Sequence, residues 1–354
     1  MKTLYGFSVF LDKEISEKTV SYIKKLASIG FTGIFTSIHI PEDDSSKYLD
    51  RLKRLGCLAK NQKLQLMVDM SGNALESIGA SFDRLIELKT YGITGLRMDF
   101  AVSNEQISQA SQDFTISLNA STVTEEDISE LHRFHANFEN LEVWHNYYPR
   151  PETGLSKETL LRKNEFLRDN GLSIQAFVAG DENLRQPLKL GLPTLEAHRG
   201  KHPLAAAIEL SRFGLNQIYI GDGGLKERTI SQFDDYLNRD CMTLLAENND
   251  SAYFSLVLKE HQNRADPARD VIRSKEARFG RIAEIQPEYC IKRKKGAVTI
   301  DNRLYGRYMG EMQITLRDLP ADEKVNVVGF VAEKDIDLLD EIGPDQKYKI
   351  IGRG

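Results

Sequence analysis

The chain has 354 residues, of which 41% are hydrophobic and 28% are charged, a composition typical of a globular protein with one large and one smaller domain. Its net charge of −5 excludes a broad electrostatic footprint for nucleic acid or for an anionic membrane, so an anionic ligand must be met by locally placed Arg and Lys. The three cysteines, Cys57, Cys241 and Cys290, lie far apart without CxxC spacing, which excludes a disulfide framework and indicates a reducing cytoplasm.

Short β-branched and aromatic runs alternate with helical patterns over roughly the first 240 residues. The predicted strands cover 4–11, 32–38, 64–70, 94–100, 113–118, 141–145, 173–178 and 217–221. The predicted helices cover 16–29, 45–61, 73–89, 104–109, 124–136, 156–170 and 203–213. Eight strands in such alternation predict a TIM (β/α)8 barrel. A doubly wound open sheet has the same alternation, but it usually has fewer repeats and an early glycine-rich phosphate loop, which this sequence lacks. The N-terminal run is too short and too polar for a signal peptide, and no later run is long enough for a membrane span.

The pattern changes at about residue 249, where strand-like runs follow one another without intervening helices. These runs cover 253–258, 297–300, 311–316, 325–331 and 347–351, and only 333–342 has a helical pattern. This predicts a second, smaller, mostly β domain that forms a compact barrel or sandwich. The expected division is therefore a catalytic barrel over 1–248 and a β domain over 249–354.

The stretch 141–156, LEVWHNYYPRPETGLS, concentrates more functional groups than an ordinary connection. It follows a predicted strand, and an α/β barrel builds its site from the loops at the C-terminal strand ends. The candidates at these ends are Ser37, His39, Asp69, Arg97, Asp99, Asn119, Ser121, His145, Asn146, Tyr148, Arg150, Asp181 and Asp222. Any single Asp in this set has an alternative role as the cap of the following helix.

Arg97 and Asp99 fall on the same side of the fourth strand because side chains alternate along a strand. The two side chains would either pair, which keeps Asp99 ionised, or Asp99 would sit on an apolar wall where its pKa rises and suits an acid. A purely structural ion pair is the third reading, and the sequence leaves all three open.

The loop after the seventh strand is about twenty residues long, much longer than most barrel loops. It carries Glu196, a second candidate catalytic carboxylate, and Arg199 and Lys201, which could meet an anion, although an ordinary solvated loop would also carry such charges. In the second domain, Arg273 lies in an arginine-rich segment that suits phosphate binding or a solvated charged face. Arg307 lies beside glycines in a segment that could reach the barrel mouth or close a β turn.

A metal site is not expected. The histidines weighed as ligands, beside Asp69 or Asp222, are His39, His145, His198 and His202. No HxH or HExxH pair occurs within one element, and the stretch that holds His198 and His202 is broken by glycine and proline. No strand end carries a Lys for Schiff-base chemistry, and we expect no cofactor.

Several motifs together resemble the 6-phospho-N-acetylmuramidase (MupG-type) family of glycoside hydrolases. They are GFTGIFTSI, GLRMDF, LNAST, HNYYPRPETGLS, GLPTLEAHR, DPARDVIRS and RYMGEMQI, and they run over the whole chain. The resemblance implies an N-terminal TIM barrel joined to a cyclophilin-like β domain. It also implies a cytoplasmic enzyme that cleaves the glycosidic bond of phosphorylated MurNAc–GlcNAc during cell-wall recycling.

Glycoside hydrolysis usually needs two carboxyl groups. We expect the pair to come from Asp69, Asp99, Glu196 and Asp222, with Asp99 and Glu196 favoured and with Glu142 and Asp181 in reserve. His145 would assist proton transfer or serve as a neutral hydrogen-bonding group. Anionic groups would be held by Arg97, Arg150, Arg199, Arg273 and Arg307. Asn119 and Asn146 would bind sugar hydroxyls or the acetamide, and Tyr148 would stack on a ring.

Two other functions stay open at this point. One is a barrel phosphosugar aldolase or isomerase, and the other is a sugar-phosphate sensor or binding protein without turnover. The expected partner is a small phosphorylated amino-sugar disaccharide, with no nucleic acid and no membrane, and homo-oligomer formation is left open.

Overall fold

The computed structural model describes residues 3–38, 45–70, 81–98, 102–276 and 284–352. The chain divides into two compact units, Met1–Glu227 and Arg228–Gly354. This division lies earlier than the expected boundary after residue 248, because the strand Cys241–Asn248 pairs within the sheet of the second unit.

Eight parallel strands of the first unit close into a barrel in chain order. They are β1 Leu4–Ser8, β2 Gly33–Ser37, β3 Gln65–Met70, β4 Gly95–Met98, β5 Thr115–Asn119, β6 Leu141–Trp144, β7 Ser173–Val178 and β8 Gln217–Ile220. Strand β1 pairs with both β2 and β8, which completes the ring. The predicted TIM barrel is thereby confirmed.

Helices follow the strands at the predicted places. They are α1 Glu17–Ser28, α2 Ser45–Asn61, α3 Asn104–Ala110, α4 Glu125–Arg133, α5 Lys157–Asp169 and α6 Pro203–Arg212. Ser16, Thr124 and Ser156 each accept the backbone N–H three residues later, so the predicted helix starts have side-chain caps. Where a helix was predicted over 73–89, the structure has a 3-10 helix, Phe82–Tyr91, and 71–80 lie outside the described residues. None of the helices that the structure describes combines the length and the apolar character needed to cross a bilayer.

The inside of the barrel is filled by large side chains. Phe35, Met67, Trp144, Phe177 and Tyr219 form one buried cluster. Tyr219 fits because the neighbouring strands carry glycines at its level: a Cβ on residue 6 would lie 2.2 Å from its ring, and one on residue 33 would lie 2.0 Å from its hydroxyl oxygen. The interior of the barrel is therefore a packed core of side chains.

The second unit is built on a mixed sheet of seven strands with the order β10-β15-β9-β14-β12-β13-β11. The strands are β9 Cys241–Asn248, β10 Glu260–Gln262, β11 Val271–Arg273, β12 Ala297–Asp301, β13 Met312–Thr315, β14 Val325–Val331 and β15 Lys347–Gly352. A β-bridge between Asn263 and Ser274 joins the two edge strands, so the sheet is nearly a closed barrel. The predicted small β domain is confirmed, and helix α7, Glu227–Arg239, begins at the division between the units.

Several elements of the second unit differ from the sequence prediction. The short strands β10 and β11 were not predicted, and the helical pattern over 333–342 forms a 3-10 helix, Glu333–Glu341. The strand predicted over 253–258 was wrong, because this segment holds a 3-10 helix, Phe254–Val257. Phe254 and Val257, three residues apart, are buried, whereas Leu256 is exposed, which is the spacing of a 3-10 turn and not of a strand. Strand β9 was missed because its apolar run directly follows a helix and consists mainly of Met, Leu and Ala, which favour helices over strands.

Candidate active site at the mouth of the barrel

A partly buried ion pair lies at the C-terminal ends of β3 and β4. Nη1 of Arg97 lies 3.1 Å from Oδ1 of Asp69, and Nη2 donates to Oδ1 of Asn146 at 2.5 Å. Asp69 and Arg97 are direct neighbours in the register of the two strands, so both side chains point into the mouth. The fixed guanidinium stabilises the charged form of the carboxylate beside it.

These groups line a pocket of about 330 Å³. The lining residues are Phe35, Asp69, Arg97, Asn146, Tyr147, Tyr148 and Phe177. The half-buried Tyr147 ring packs edge-on against Phe35 and Phe177, with centroids 6.3 and 5.1 Å apart, and burial raises the pKa of its hydroxyl. The pocket therefore has an aromatic wall with a few polar groups, the usual composition of a small-ligand site.

Four of the predicted site residues, Asp69, Arg97, Asn146 and Tyr148, come together in this pocket, and others do not. Asn119 is buried at the end of β5, where its side chain accepts the N–H of Ser121. Arg150 is exposed on the loop after β6. Asp99 and His39 lie outside the described residues, so the role predicted for Asp99 stays a prediction.

Glu196, favoured from the sequence as a catalytic carboxylate, is held in a structural network. Nε and Nη2 of Arg199 lie 2.6 and 2.7 Å from its two oxygens, which also accept the N–H groups of Glu152 and Gly154 at 2.8 Å. These contacts lower the pKa of Glu196 to about 2, with Arg199 as the main cause. Arg199 also donates to the carbonyl oxygens of Tyr148, Arg150, Leu190 and Gly191. Both side chains thus tie the loop after β6 to the loop after β7.

Asp222, which follows β8, is also held in a structural network of hydrogen bonds. It is fully buried and accepts backbone N–H groups from Gly180, Arg185 and Leu192 at 2.9 to 3.0 Å. Burial nevertheless raises its pKa above the ordinary value. Its contacts shape the long loop after β7, and it does not line the pocket at the mouth.

His145 faces away from the mouth. Trp144 points into the barrel, so the next side chain points outward, where Nε2 of His145 lies 2.7 Å from Oδ1 of Asn164 on α5. The ring is fully buried, and burial lowers its pKa to about 4. His145 is therefore a neutral hydrogen-bonding group between the strand and the helix.

The remaining histidines considered as metal ligands also have local roles. Nε2 of His198 lies 3.1 Å from Glu209, and Nδ1 of His202 accepts the N–H of Leu204 at the start of α6. Within the described parts of the chain, no group of three or more His, Cys, Asp or Glu side chains is placed to hold a metal ion.

The sequence predicts Glu142 only as a reserve candidate for the catalytic carboxylate. In the structure it is a buried carboxyl group inside the barrel with a strongly raised pKa. It is buried, accepts hydrogen bonds from Nε1 of Trp144 at 2.5 Å and Nε2 of Gln217 at 2.7 Å, and burial raises its pKa to about 7. Its alternation with Trp144 and Asn146 is the sequence signal that places it on the inner face. The other reserve, Asp181, accepts the N–H of Lys226.

The two arginines predicted from the second unit have local partners there. Arg273 pairs with Asp266 at 2.9 Å, and Arg307 donates to the hydroxyl of Tyr308 at 2.9 Å. Their predicted contacts with substrate stay predictions.

Comparison with known proteins gives matches over nearly the whole chain. Residues 5–235 match the family model described as 6-phospho-N-acetylmuramidase, N-terminal, and residues 241–351 match the corresponding C-terminal model. The crystal structure of a conserved protein of unknown function from Enterococcus faecalis is 46% identical, with a TM-score of 0.94, covering 99% of this chain and 97% of that one. A crystal structure of an uncharacterized B. cereus protein, 24% identical with a TM-score of 0.73, covers 99% of this chain and 100% of that one and has the same fold. No curated protein sequence matches.

The two family models account for both units, and the barrel and β domain implied by the sequence motifs are present. The chain therefore belongs to the 6-phospho-N-acetylmuramidase family.

Proposed function

We propose that this protein is a cytoplasmic glycoside hydrolase of peptidoglycan recycling. It cleaves the bond between N-acetylmuramic acid 6-phosphate and N-acetylglucosamine. The observation that carries the proposal is the Asp69 carboxylate, which Arg97 holds beside aromatic side chains in a pocket at the C-terminal face of the barrel. Membership of the family supports the substrate class.

Asp69 is one of the two carboxylates in this scheme. Because the guanidinium of Arg97 favours its charged form, Asp69 acts as the nucleophile or as the base that activates water. Asp99 is the second carboxyl group and protonates the leaving oxygen, an assignment that rests on its alternation with Arg97 along the strand. The proton thus moves from Asp99 to the glycosidic oxygen while the bond to the anomeric carbon breaks, and water supplies the new hydroxyl group.

Glu196 and Asp222 serve as positioning residues in this proposal. Every carboxylate oxygen of Glu196 is engaged by Arg199 or a backbone N–H, and Asp222 is engaged by three backbone N–H groups. A carboxylate that holds two loops together would have to break those contacts to reach a substrate. Their contribution is to fix the walls of the mouth.

The sugar is held by the remaining groups of the pocket. Tyr148 offers a ring face, and Asn146 offers its amide nitrogen, since its oxygen accepts from Arg97. Asn119, buried at the end of β5, and the exposed Arg150 do not line the pocket, and their contacts with the sugar stay predictions. No lysine lines the pocket among the residues that the structure describes, so a Schiff-base aldolase has no nucleophile there.

The test is incubation of the protein with the phosphorylated disaccharide, followed by chromatographic detection of N-acetylglucosamine. Release by the wild-type protein, and none by Asp69→Asn, supports the hydrolase. Tight binding of the disaccharide without release would replace the proposal with a sensor function.

A further inference from the structure

A second and larger cavity of about 760 Å³ opens beside the C-terminal ends of β1, β7 and β8. Its lining residues fall within 8–25, 182–189 and 223–227, and we call it the β1–β8 groove. The function proposed above gives it no role, although it is more than twice as large as the pocket that holds Asp69.

Arg185 is presented to this groove in a fixed orientation. The carbon at the centre of its guanidinium lies 3.5 Å from the centroid of the Phe10 ring, and its backbone N–H donates to Asp222. The Phe10 ring covers one face of the guanidinium. The N–H donors along the edge of the guanidinium are not covered by this stacking. No acidic side chain lies within ion-pair distance of Arg185 in the part of the chain that the structure describes.

The charges around the groove leave a local positive excess. Most of the acidic side chains are already in ion pairs, which are Lys18 with Glu182, Lys25 with Glu227 and Arg51 with Glu14. Among the described residues this leaves Lys13, Arg185 and Lys189 without ion-pair partners, against Asp12 alone. The charged side chains that line the groove, five basic and four acidic, leave one net positive charge in a protein whose net charge is −5.

The groove and the smaller pocket both open at C-terminal strand ends of the barrel. Tyr147, which lines the smaller pocket, interacts electrostatically with Arg185 as well as with Asp69 and Arg97. Two of the arginines predicted to hold anions are less suited, because Arg199 is engaged by Glu196 and Arg97 by Asp69.

We propose that the β1–β8 groove is the phosphate subsite of the enzyme and that Arg185 binds the 6-phosphate of the sugar. This inference rests on the proposed function for the identity of the sugar. The edge of an arginine fits two phosphate oxygens, and the loops after the seventh and eighth strands often form a phosphate site in TIM barrels. Lys13 and Lys189 attract the dianion at longer range.

The experiment compares kcat/KM for the phosphorylated and the unphosphorylated disaccharide in the wild type, Arg185→Ala and Arg185→Lys. Arg185→Ala is expected to lower kcat/KM for the phosphorylated substrate by about 10- to 100-fold, mainly through KM, because it removes charge-assisted hydrogen bonds. Activity on the unphosphorylated substrate should change by less than about two-fold. Arg185→Lys should recover part of the loss, and Arg162→Ala, at an exposed position of α5, is the matched control.

Calorimetric binding of N-acetylmuramic acid 6-phosphate and of N-acetylmuramic acid separates this proposal from the hydrolase proposal. Arg185-dependent binding of the phosphorylated sugar without any hydrolysis would support the subsite and overturn the hydrolase. Hydrolysis in which Arg185→Ala affects both disaccharides equally, or neither, would overturn the subsite and leave the hydrolase standing. If Arg185→Ala does not fold, the same comparison with Arg185→Lys and Lys189→Ala decides.

Discussion

Arg97 and Asp69 are neighbours across two paired strands, and their side chains form an ion pair 3.1 Å long in the mouth of the barrel. The arginine side chain is 7% exposed and the aspartate side chain 20% exposed, so the carboxylate is the partner that a ligand reaches more easily. The pair therefore orders a reactive carboxylate without shielding it.

Asp69→Asn is expected to lower kcat by about 10³-fold, because an amide can accept from Arg97 but can neither attack carbon nor take a proton. The variant should remain folded, since the hydrogen bond to the guanidinium is kept. Steady-state kinetics with thermal unfolding measures both effects, and Asp169→Asn, an exposed position at the end of α5, is the control. Activity within tenfold of the wild type would remove Asp69 from the chemistry.

Asp99→Asn tests the second carboxyl group. Turnover should be abolished and the fold left intact, because the amide has no acidic proton to give to the leaving oxygen. A substrate whose leaving group is a good phenolate needs no such proton and should recover much of the lost rate. Wild-type rates on the natural disaccharide would rule Asp99 out as the acid.

Glu196→Gln should behave differently, since the carboxylate holds loops together. We expect kcat to fall by about tenfold, far less than in Asp69→Asn, together with a loss of stability at neutral pH. The pKa of Glu196 is lowered from 4.5 to about 2, so the native state gains from its ionisation above pH 4.5 and loses that gain as the pH falls towards 2. Urea denaturation should therefore show a stability gap between wild type and variant that closes over this range. A loss of turnover as large as that of Asp69→Asn in a stable variant would return Glu196 to the chemistry.

Glu142→Gln should remove a pH-dependent loss of folding stability in the barrel core. Burial raises the pKa of Glu142 from 4.5 to about 7, so the unfolded chain releases this proton first and the native state loses stability as the pH rises from 4.5 to 7. By the usual linkage this amounts to about 3 kcal/mol. The measurement is the difference in unfolding free energy between variant and wild type at several pH values. Taking the difference cancels the contribution of His145, whose lowered pKa acts with the opposite sign. A difference that does not change with pH would contradict the prediction.

Gly56→Ala should destabilise the barrel although alanine is the better helix former. A Cβ at residue 56 in α2 would lie 1.6 Å from the carbonyl oxygen of Tyr91, which is backbone and cannot rotate away. The gain of about 1 kcal/mol from helix propensity is smaller than the overpacking cost of up to about 3 kcal/mol. Chemical denaturation should therefore show a net loss of about 2 kcal/mol. Cys57→Ala, at the next and exposed position, should change stability by less than about 0.5 kcal/mol.

The elements that the sequence predicted well are those with an unambiguous pattern. The run predicted as a strand over 325–331 is the strand Val325–Val331, because it is β-branched and bounded by turns. The run at Cys241–Asn248 is also apolar, but it follows a helix directly and consists mainly of Met, Leu and Ala, which favour helices. Local pattern therefore predicted most of the barrel, and it failed where a buried strand lacks β-branched residues and a preceding turn signal.

The site was predictable only as far as strand geometry determines it. Their positions at C-terminal strand ends predicted Arg97 and Asp69 at the mouth, and the structure brings the two side chains into contact. Besides Arg199, the partners of Glu196 are two backbone N–H groups more than forty residues away, and a backbone N–H has no residue type by which a sequence can reveal it. The sequence of the long loop also did not distinguish Arg185 from Arg199. The stacking partner of Arg185 is Phe10, which lies near the other end of the barrel sequence.

The packing of Tyr219 against two glycine positions has an evolutionary consequence. Gly6 and Gly33 lie on adjacent strands, and the space of both missing side chains is filled by one phenol ring. A mutation that enlarges either glycine alone meets the ring, whereas the same mutation after Tyr219 has become small meets a void. The three positions should therefore covary among relatives, and a designer who wishes to widen the barrel should change them as a unit.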